Sequence, residues 1–311
     1  MSSNTHGLLD CVGNTPLLPL RRIVPANGAR ILVKLESANP TGSMKDRMAL
    51  AIVDAAERDG RLRPGAPVVE YTGGSTGVSL ALVCAVKGHP LHIVSSDAFA
   101  REKLDHMRLL GADLDVLASE GGRMTESLTR RMIAAAGATA DRTGAFWVDQ
   151  MNNADQLAAY AALADELLVQ SGGEIDGFVQ SVGTAASLRG VATRLRERTA
   201  SVRIVAVEPA ESAVLSGGAP GGHKIDGIGA GYVVPLWRDG IADGIERVST
   251  EEARAMALRL AREEGLFAGL STGCNVIAAL RLAERMGPRS TVATIMCDTG
   301  MKYLGSLGGR A

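Results

Sequence analysis

Aromatic residues are scarce, 3% of 311 positions, no block of one charge interrupts the chain, and no run approaches the ~18 apolar residues of a membrane span. With 33 basic against 34 acidic side chains the formal net charge is −1. Charge spread in this way gives no electrostatic footprint for nucleic acid or for an anionic membrane surface, so neither is an expected partner. The four cysteines, Cys11, Cys84, Cys274 and Cys297, lie far apart with no CxxC or other metal-ligand spacing and read as reduced thiols. His89 and His92 form the one close histidine pair, with no cysteine or carboxylate pattern to complete a metal site, and no metal is expected. There is no Gly-Lys dipeptide, which removes the P-loop and its nucleotide chemistry. The polar start Met1 to Asp10 lacks the apolar region of a secretory signal, so the cytoplasm is the expected compartment.

What the chain has in quantity is glycine, 37 residues, set mainly between apolar segments as tight strand-to-helix turns require. Strand-like runs at 29–35, 67–71, 91–95, 113–117, 145–149, 177–180, 202–208 and 291–297 alternate with helix-like runs. The latter cover 44–59, 76–87, 101–110, 123–136, 154–170, 186–198, 250–264 and 273–285. Such alternation predicts an α/β fold of two lobes, each a parallel-type sheet flanked by helices. The lobe change is expected near 148–153, dividing the chain into 1–148 and 149–311 around a shared cleft. The segment 208–246, rich in glycine and proline, is too long for an ordinary connection and reads as functional.

The most informative motif is Asn39-Pro-Thr-Gly-Ser-Met-Lys45-Asp-Arg47. Ser43 and Asp46 read as a capping box opening a helix, which places Lys45 in the first helical turn. Unpaired N–H groups there carry partial positive charge and favour a neutral amine, the form that condenses with a carbonyl. The first expectation is therefore a pyridoxal-phosphate enzyme. Four turns follow strand-like or apolar runs and can present N–H donors to anions: Thr72–Gly77, Ser181–Ser187, Gly269–Gly273 and Asp298–Gly300. Two such cradles suit a phosphate and a carboxylate, and the residues alone do not say which turn takes which.

Two rival readings fail on context. Gly227-Ile-Gly-Ala-Gly231 has no clear strand before it and no helix after it, so it is not a dinucleotide loop. Gly73–Gly77 and Gly269–Gly273 both match the G-x-S-x-G of a serine-hydrolase elbow. For Ser271 the order Ser, Asp, His cannot be met, because the last histidine is His223. For Ser75 that order is conceivable, but a hydrolase leaves Lys45 idle. A non-catalytic scaffold is the third, remote alternative.

Taken in order, the Lys45 motif, Thr72–Gly77, Gln150-Met-Asn-Asn, Val182–Ser187, Val207-Glu-Pro209, His223–Gly231 and Leu270–Gly273 resemble the motifs of the cysteine synthase family. The resemblance covers almost the whole chain. It implies a fold-type II, tryptophan synthase β-like enzyme that binds pyridoxal 5′-phosphate, with members including O-acetylserine sulfhydrylases and the core of cystathionine β-synthases. No haem-binding extension or regulatory tail is expected. An early segment of about 13–36 is expected to cross to the C-terminal lobe.

Carried over by position, the resemblance implies that Lys45 bonds the cofactor and later moves the Cα proton. Gly183, Thr184, Ala185, Ala186 and Ser187 are expected to cradle its phosphate, and Ser271 to hydrogen-bond its pyridine nitrogen. Ser75 stands where the family commonly has an asparagine contacting the cofactor's 3′ oxygen. Thr72, Gly73, Thr76 and Gln150 are expected to hold the substrate α-carboxylate; the family commonly has serine at position 73. The expected reaction is β-replacement on an activated L-serine such as O-acetylserine, by way of an aminoacrylate. Its small-molecule partners are then the amino acid and a small nucleophile such as sulfide. The alternative is β-elimination of the ammonia-lyase or desulfhydrase type, and a homodimer is implied.

Overall fold

The computed structural model describes residues 7–25, 28–122 and 125–307, and the first two positions of the helix expected at 123–136 lie outside them. The strands in chain order are β1 (Leu17–Pro19), β2 (Arg30–Leu35), β3 (Val68–Tyr71), β4 (Leu91–Ser96), β5 (Asp113–Leu117), β6 (Phe146–Trp147), β7 (Gly177–Ser181), β8 (Arg203–Pro209), β9 (Gly244–Val248) and β10 (Thr291–Met296). The helices are α1 (Lys45–Arg58), α2 (Ser75–Lys87), α3 (Arg101–Leu109), α4 (Glu126–Thr143), α5 (Gln156–Ser171), α6 (Ala186–Arg198), α7 (Thr250–Arg259), α8 (Leu270–Met286) and α9 (Leu304–Leu307).

The chain forms two compact units, Met1–Val12 with Lys45–Gln156, and Gly13–Met44 with Leu157–Ala311. The first runs to Gln156 because the residues after β6 bond back into it: Asn153 Nδ2 donates to Val148 O at 3.0 Å and Gln156 Nε2 to Gln150 O at 2.6 Å. The early segment of the second unit extends to Met44 because Met44 N donates to Cys297 O at 2.8 Å and Thr299 N to Gly42 O at 2.9 Å.

The first unit is a four-stranded sheet in the order β5-β4-β3-β6, parallel throughout. Val68 and Val69 of β3 and Ile93 and Val94 of β4 are fully buried, which is why these strands read as unbroken apolar runs instead of alternating ones. Leu128, Met132 and Ala136 recur at helical spacing on α4 and close one face over Val69 and Val94. Thr125 caps α4 by accepting from Leu128 N, and Gly144 ends it in the left-handed region that glycine adopts without a Cβ clash.

The second unit is a six-stranded sheet, β1-β2-β10-β7-β8-β9. Its central strands β7 and β10 are buried along their whole length. The pairs from β2 to β9 are parallel, as expected of a parallel-type sheet, and β1 joins β2 antiparallel at the edge. Alternation of strands and helices does not register a three-residue strand that ends in proline, a residue suited to edges because it has no N–H for a ladder. β9 is the second strand missed, inside the segment read as aperiodic; it too is an edge and only Val248 is buried. α7 opens on a capping box between Ser249 and Glu252 and passes into a π turn over Leu260–Glu264, which together fill the helix expected at 250–264.

Candidate active site

In the first unit Lys45 is the first residue of α1. Asp46 beside it is fully buried and accepts from Ser79 Oγ on α2 at 2.5 Å, which ties the start of α1 to the body of α2. Ser43 Oγ, expected to cap α1, donates to Asp298 in the second unit's own network, and Ser43 also bridges Asp298 through its backbone. Asp298 in turn accepts from Tyr303 Oη at 2.7 Å. Burial beside that carboxylate holds the Tyr303 phenol well above its ordinary range.

The turn from β3 to α2 carries Thr72, Gly73, Ser75 and Thr76. Its helix starts at Ser75 with Gly74 as an extended N-cap and no side-chain cap, so the first N–H groups of α2 are a ready anion site. Thr72 Oγ1 accepts from Gly74 N at 3.2 Å, leaving the hydroxyl hydrogen to be donated. Thr76 Oγ1 donates to Gln150 Oε1 at 2.8 Å. With its carbonyl oxygen engaged in this way, Gln150 presents two amide hydrogens as donors. A carboxylate here would find the Thr72 hydroxyl, the first N–H groups of α2 and the two amide hydrogens of Gln150 as donors, the Thr76 hydroxyl hydrogen being spent on Gln150.

Gln150 itself is held from both sides. Its N–H donates to Glu70 Oε2 at 3.1 Å and its carbonyl accepts from Gln156 Nε2. Asp149 before it sits at φ 47°, a left-handed backbone that costs about 1 kcal/mol for a residue with a Cβ. Glu70 is fully buried at the end of β3 and also accepts from Tyr71 N at 2.9 Å. Burial pushes its carboxyl up to about 8, outweighing the backbone donors of Gln150, Tyr71 and Asp149 that pull the other way. Sequence reasoning missed Glu70 and Gln156; the one visible signal was a carboxylate inside the apolar run Val68-Val-Glu-Tyr71.

In the second unit the turn Ser181–Ser187 joins β7 to α6. Ala185 is the N-cap of α6 at φ 68°, and no side chain caps the helix. Backbone donors at this helix start suit a phosphate, flanked by the hydroxyls of Thr184 and Ser187, both nearly buried. Gly183 is required by close approach: a Cβ there would stand 2.3 Å from Gly227 O. The segment 223–231 is folded onto this turn, with Gly229 N donating to Val182 O at 3.0 Å. His223 accepts from Ile225 N through Nδ1 at 3.2 Å and pairs through Nε2 with Gly229 O at 3.0 Å. With Nδ1 accepting and Nε2 donating, the ring has no lone pair left to serve a hydrolase serine as base.

Ser187 Oγ accepts from Gln180 Nε2 at 3.3 Å, and Gln180 belongs to a buried network that sequence reasoning also missed. Asn275 Oδ1 accepts from Ser181 N at 2.7 Å, while Asn275 Nδ2 donates to Gln180 Oε1 at 2.9 Å and Ile295 O at 2.8 Å. This amide locks the ends of β7 and β10 behind the turn. Ser271, second residue of α8, is nearly buried. Ser181 Oγ is buried and lacks a partner among the described residues. An unmatched buried hydroxyl costs about 1–3 kcal/mol, so the Ser181 oxygen fits a polar ligand at this end of the second unit.

Expected residues therefore group by unit. Lys45, Thr72, Gly73, Ser75, Thr76 and Gln150 lie in the first, and Gly183, Thr184, Ala185, Ala186, Ser187 and Ser271 in the second. Residues 8–298 match the family model described as pyridoxal-phosphate dependent enzyme. A cysteine synthase of Staphylococcus aureus is 38% identical over 295 residues, 94% of this chain and 93% of that protein. The crystal structure of a cysteine synthase from Entamoeba histolytica superposes with a TM-score of 0.91 at 35% identity, covering 97% of this chain and 89% of that one. The structure of an O-ureido-L-serine synthase gives 0.91 at 33% identity, covering 98% and 95%.

Proposed function

The chain belongs to the cysteine synthase family of pyridoxal-phosphate dependent enzymes, and from that premise we propose that it replaces the β-substituent of an activated L-serine, O-acetyl-L-serine in the first instance, with a small nucleophile such as sulfide. The observation that carries the reading is identity of 38% with a cysteine synthase along nearly the whole of both chains. A likeness of that extent leaves little room for a different reaction centre. When bound, the cofactor supplies an electron sink that lets the Cα proton leave and the β-bond break.

The residues divide the work as follows. Lys45 supplies the amine that anchors the cofactor's aldehyde and then carries the Cα proton on Nζ. Gly183, Thr184, Ala185, Ala186 and Ser187 hold the phosphate with backbone and hydroxyl donors. Ser271 Oγ would meet the pyridine nitrogen. A neutral hydroxyl there leaves the nitrogen largely unprotonated, which favours elimination chemistry over transamination. Ser75 would meet the cofactor's 3′ oxygen. Thr72, Gly73, Thr76 and Gln150 orient the substrate carboxylate, with the Thr76–Gln150 bond keeping both amide hydrogens of Gln150 on the anion's side. We assign Lys45 and the carboxylate turn to an N-terminal lobe and the phosphate turn and Ser271 to a C-terminal one, in a cytoplasmic homodimer.

The test is the visible absorption of the purified protein before and after O-acetyl-L-serine, with Lys45→Ala as control, followed by product analysis with and without sulfide. A cofactor band that responds to the amino acid only when Lys45 is present, and L-cysteine formed in proportion to sulfide, are expected. Pyruvate released at a rate indifferent to any nucleophile would replace this reading with β-elimination. A single sedimenting species of one chain's mass would remove the homodimer.

A further inference from the structure

Gly73 is not among the residues whose φ lies in the left-handed region, so its backbone accepts any L residue. Its surroundings do not. A Cβ at this position would stand 1.9 Å from both Cγ and Cδ2 of Phe99 and 2.5 Å from Cδ1. The ring, and not the dihedral, is what demands glycine in the carboxylate turn.

Phe99 is delivered by a short hydrogen-bonded turn after β4. Phe99 N donates to Ser96 O at 3.2 Å and Ala98 N to Ser96 Oγ at 3.2 Å, while Asp97 Oδ1 accepts from Ser119 N at 2.7 Å. The ring packs on the cluster of Val69, Val94, Leu128 and Met132 and remains half-buried. A side chain with two χ angles on a pinned turn loses little entropy in holding that place. It is therefore a stiff wall lying across Gly73.

We propose that Phe99 is a specificity-determining residue, its ring taking the volume of a side chain at position 73 and selecting serine derivatives whose β-substituent is small and uncharged. This rests on the reading above that the turn receives the substrate carboxylate. The donors around the turn, Thr72, Gln150 and the N–H groups at the start of α2, serve one negative charge. A second anion, such as the phosphate of O-phospho-L-serine, would be brought against an aromatic face that offers no donor, and an unpaired charge moved out of water is costly. An acetyl ester has no such charge to lose.

The test compares the holoenzyme with Phe99→Ala, Gly73→Ala and the double variant. KM and kcat are measured for O-acetyl-L-serine and O-phospho-L-serine, together with the dissociation constant of each amino acid from the cofactor's absorbance. Gly73→Ala is expected to raise KM for the acetyl ester about tenfold, as overpacking does, with a smaller change in kcat. Removing the ring as well restores KM to within about threefold, and Phe99→Ala alone narrows the preference for acetyl over phospho by about tenfold. A ring that is only structural would lower the melting temperature of Phe99→Ala and leave the ratio of the two dissociation constants unchanged. That result, or a double variant no better than Gly73→Ala, overturns the proposal. If the unaltered enzyme makes cysteine from neither ester, the proposed reaction falls, while the ratio of dissociation constants, read without turnover, still decides on Phe99.

Discussion

Glu70 offers the sharpest test of the electrostatics beneath the Thr72–Gly77 turn. Its carboxyl is fully buried with no cation against it among the described residues, and burial lifts its pKa from the ordinary 4.5 to about 8. In the unfolded chain the proton leaves near the ordinary value, so between the two values the folded state holds a proton that the unfolded state has released. Stability therefore falls as pH rises through that window, and the loss is complete above about pH 8. At about 1.4 kcal/mol per unit, the fall approaches 5 kcal/mol, an order-of-magnitude figure. The Glu70→Gln variant cannot titrate. It keeps one carbonyl oxygen for a backbone donor but turns an amide against the other, at a cost of about 1–3 kcal/mol. The variant should be the less stable protein near pH 5 and equal or better near pH 9, so the two curves cross.

The assay is urea unfolding at a series of pH values, followed by the fluorescence of Trp147 in the first unit, with Trp237 replaced by phenylalanine in both proteins. Groups remote from Glu70 are the same in both proteins and cancel in the difference. Loosening of Gln150 should also raise KM for the amino acid more than it lowers kcat. Stability curves that run parallel across the range would refute the reasoning: they would mean that the backbone donors of Tyr71, Asp149 and Gln150 outweigh burial and keep the carboxylate ionised.

Gly183→Ala should abolish cofactor binding, read as loss of visible absorbance, because its Cβ meets Gly227 O at 2.3 Å and a backbone carbonyl cannot swing aside. Ala185→Gly should stabilise the protein by about 1 kcal/mol, measured as a rise in the urea midpoint, since a left-handed residue loses its Cβ clash. A thiol reagent near pH 8 should label Cys11 at once and the other three only after denaturation: Cys11 is exposed, Cys84, Cys274 and Cys297 are buried, and burial pushes the Cys84 thiol up to about 12. Thr76→Val should raise KM for O-acetyl-L-serine about fivefold to tenfold, the value of one hydrogen bond, by releasing Gln150 Oε1.

Much of the fold was legible because strand-like and helix-like runs alternate between marked turns, whether or not an element is buried along its length. The helix expected at 186–198 and the strand at 113–117 have the observed bounds, and the buried strands β7 and β10 were found although they carry Gln180 and Ser181, and Thr291 and Thr294. β1 and β9 were illegible for local reasons: β1 has three residues and ends in proline, and β9 starts inside the aperiodic segment 208–246; edge position alone does not hide a strand, since β5 is an edge as well. Ser43 and Asp46 also bond at long range in ways that no local pattern shows, the Ser43 hydroxyl to Asp298 and the Asp46 carboxylate to Ser79. Glu70 and Asn275 stayed hidden because their partners Gln150 and Gln180 are 80 and 95 residues away. Single-sequence patterns carry no information about such pairs.

The small residues of the two turns show where that limit bears on function. Gly183 and Gly73 are both glycines next to a helix start, and Ala185 stands where backbone freedom is most needed. Gly183 is small because a carbonyl leaves no room, Gly73 because an aromatic ring leaves none, and Ala185 keeps a Cβ in the left-handed region although the chain has 37 glycines elsewhere. A motif written as letters treats these three positions alike, as tolerance for glycine or alanine. Physically they differ in what would restore a larger side chain. At Gly183 nothing short of moving the 223–231 segment would; at Gly73 a single substitution of Phe99 would. A constraint that one mutation can lift is one that evolution can retune, which makes the Thr72–Gly77 turn adjustable at Gly73 and the Ser181–Ser187 turn fixed at Gly183.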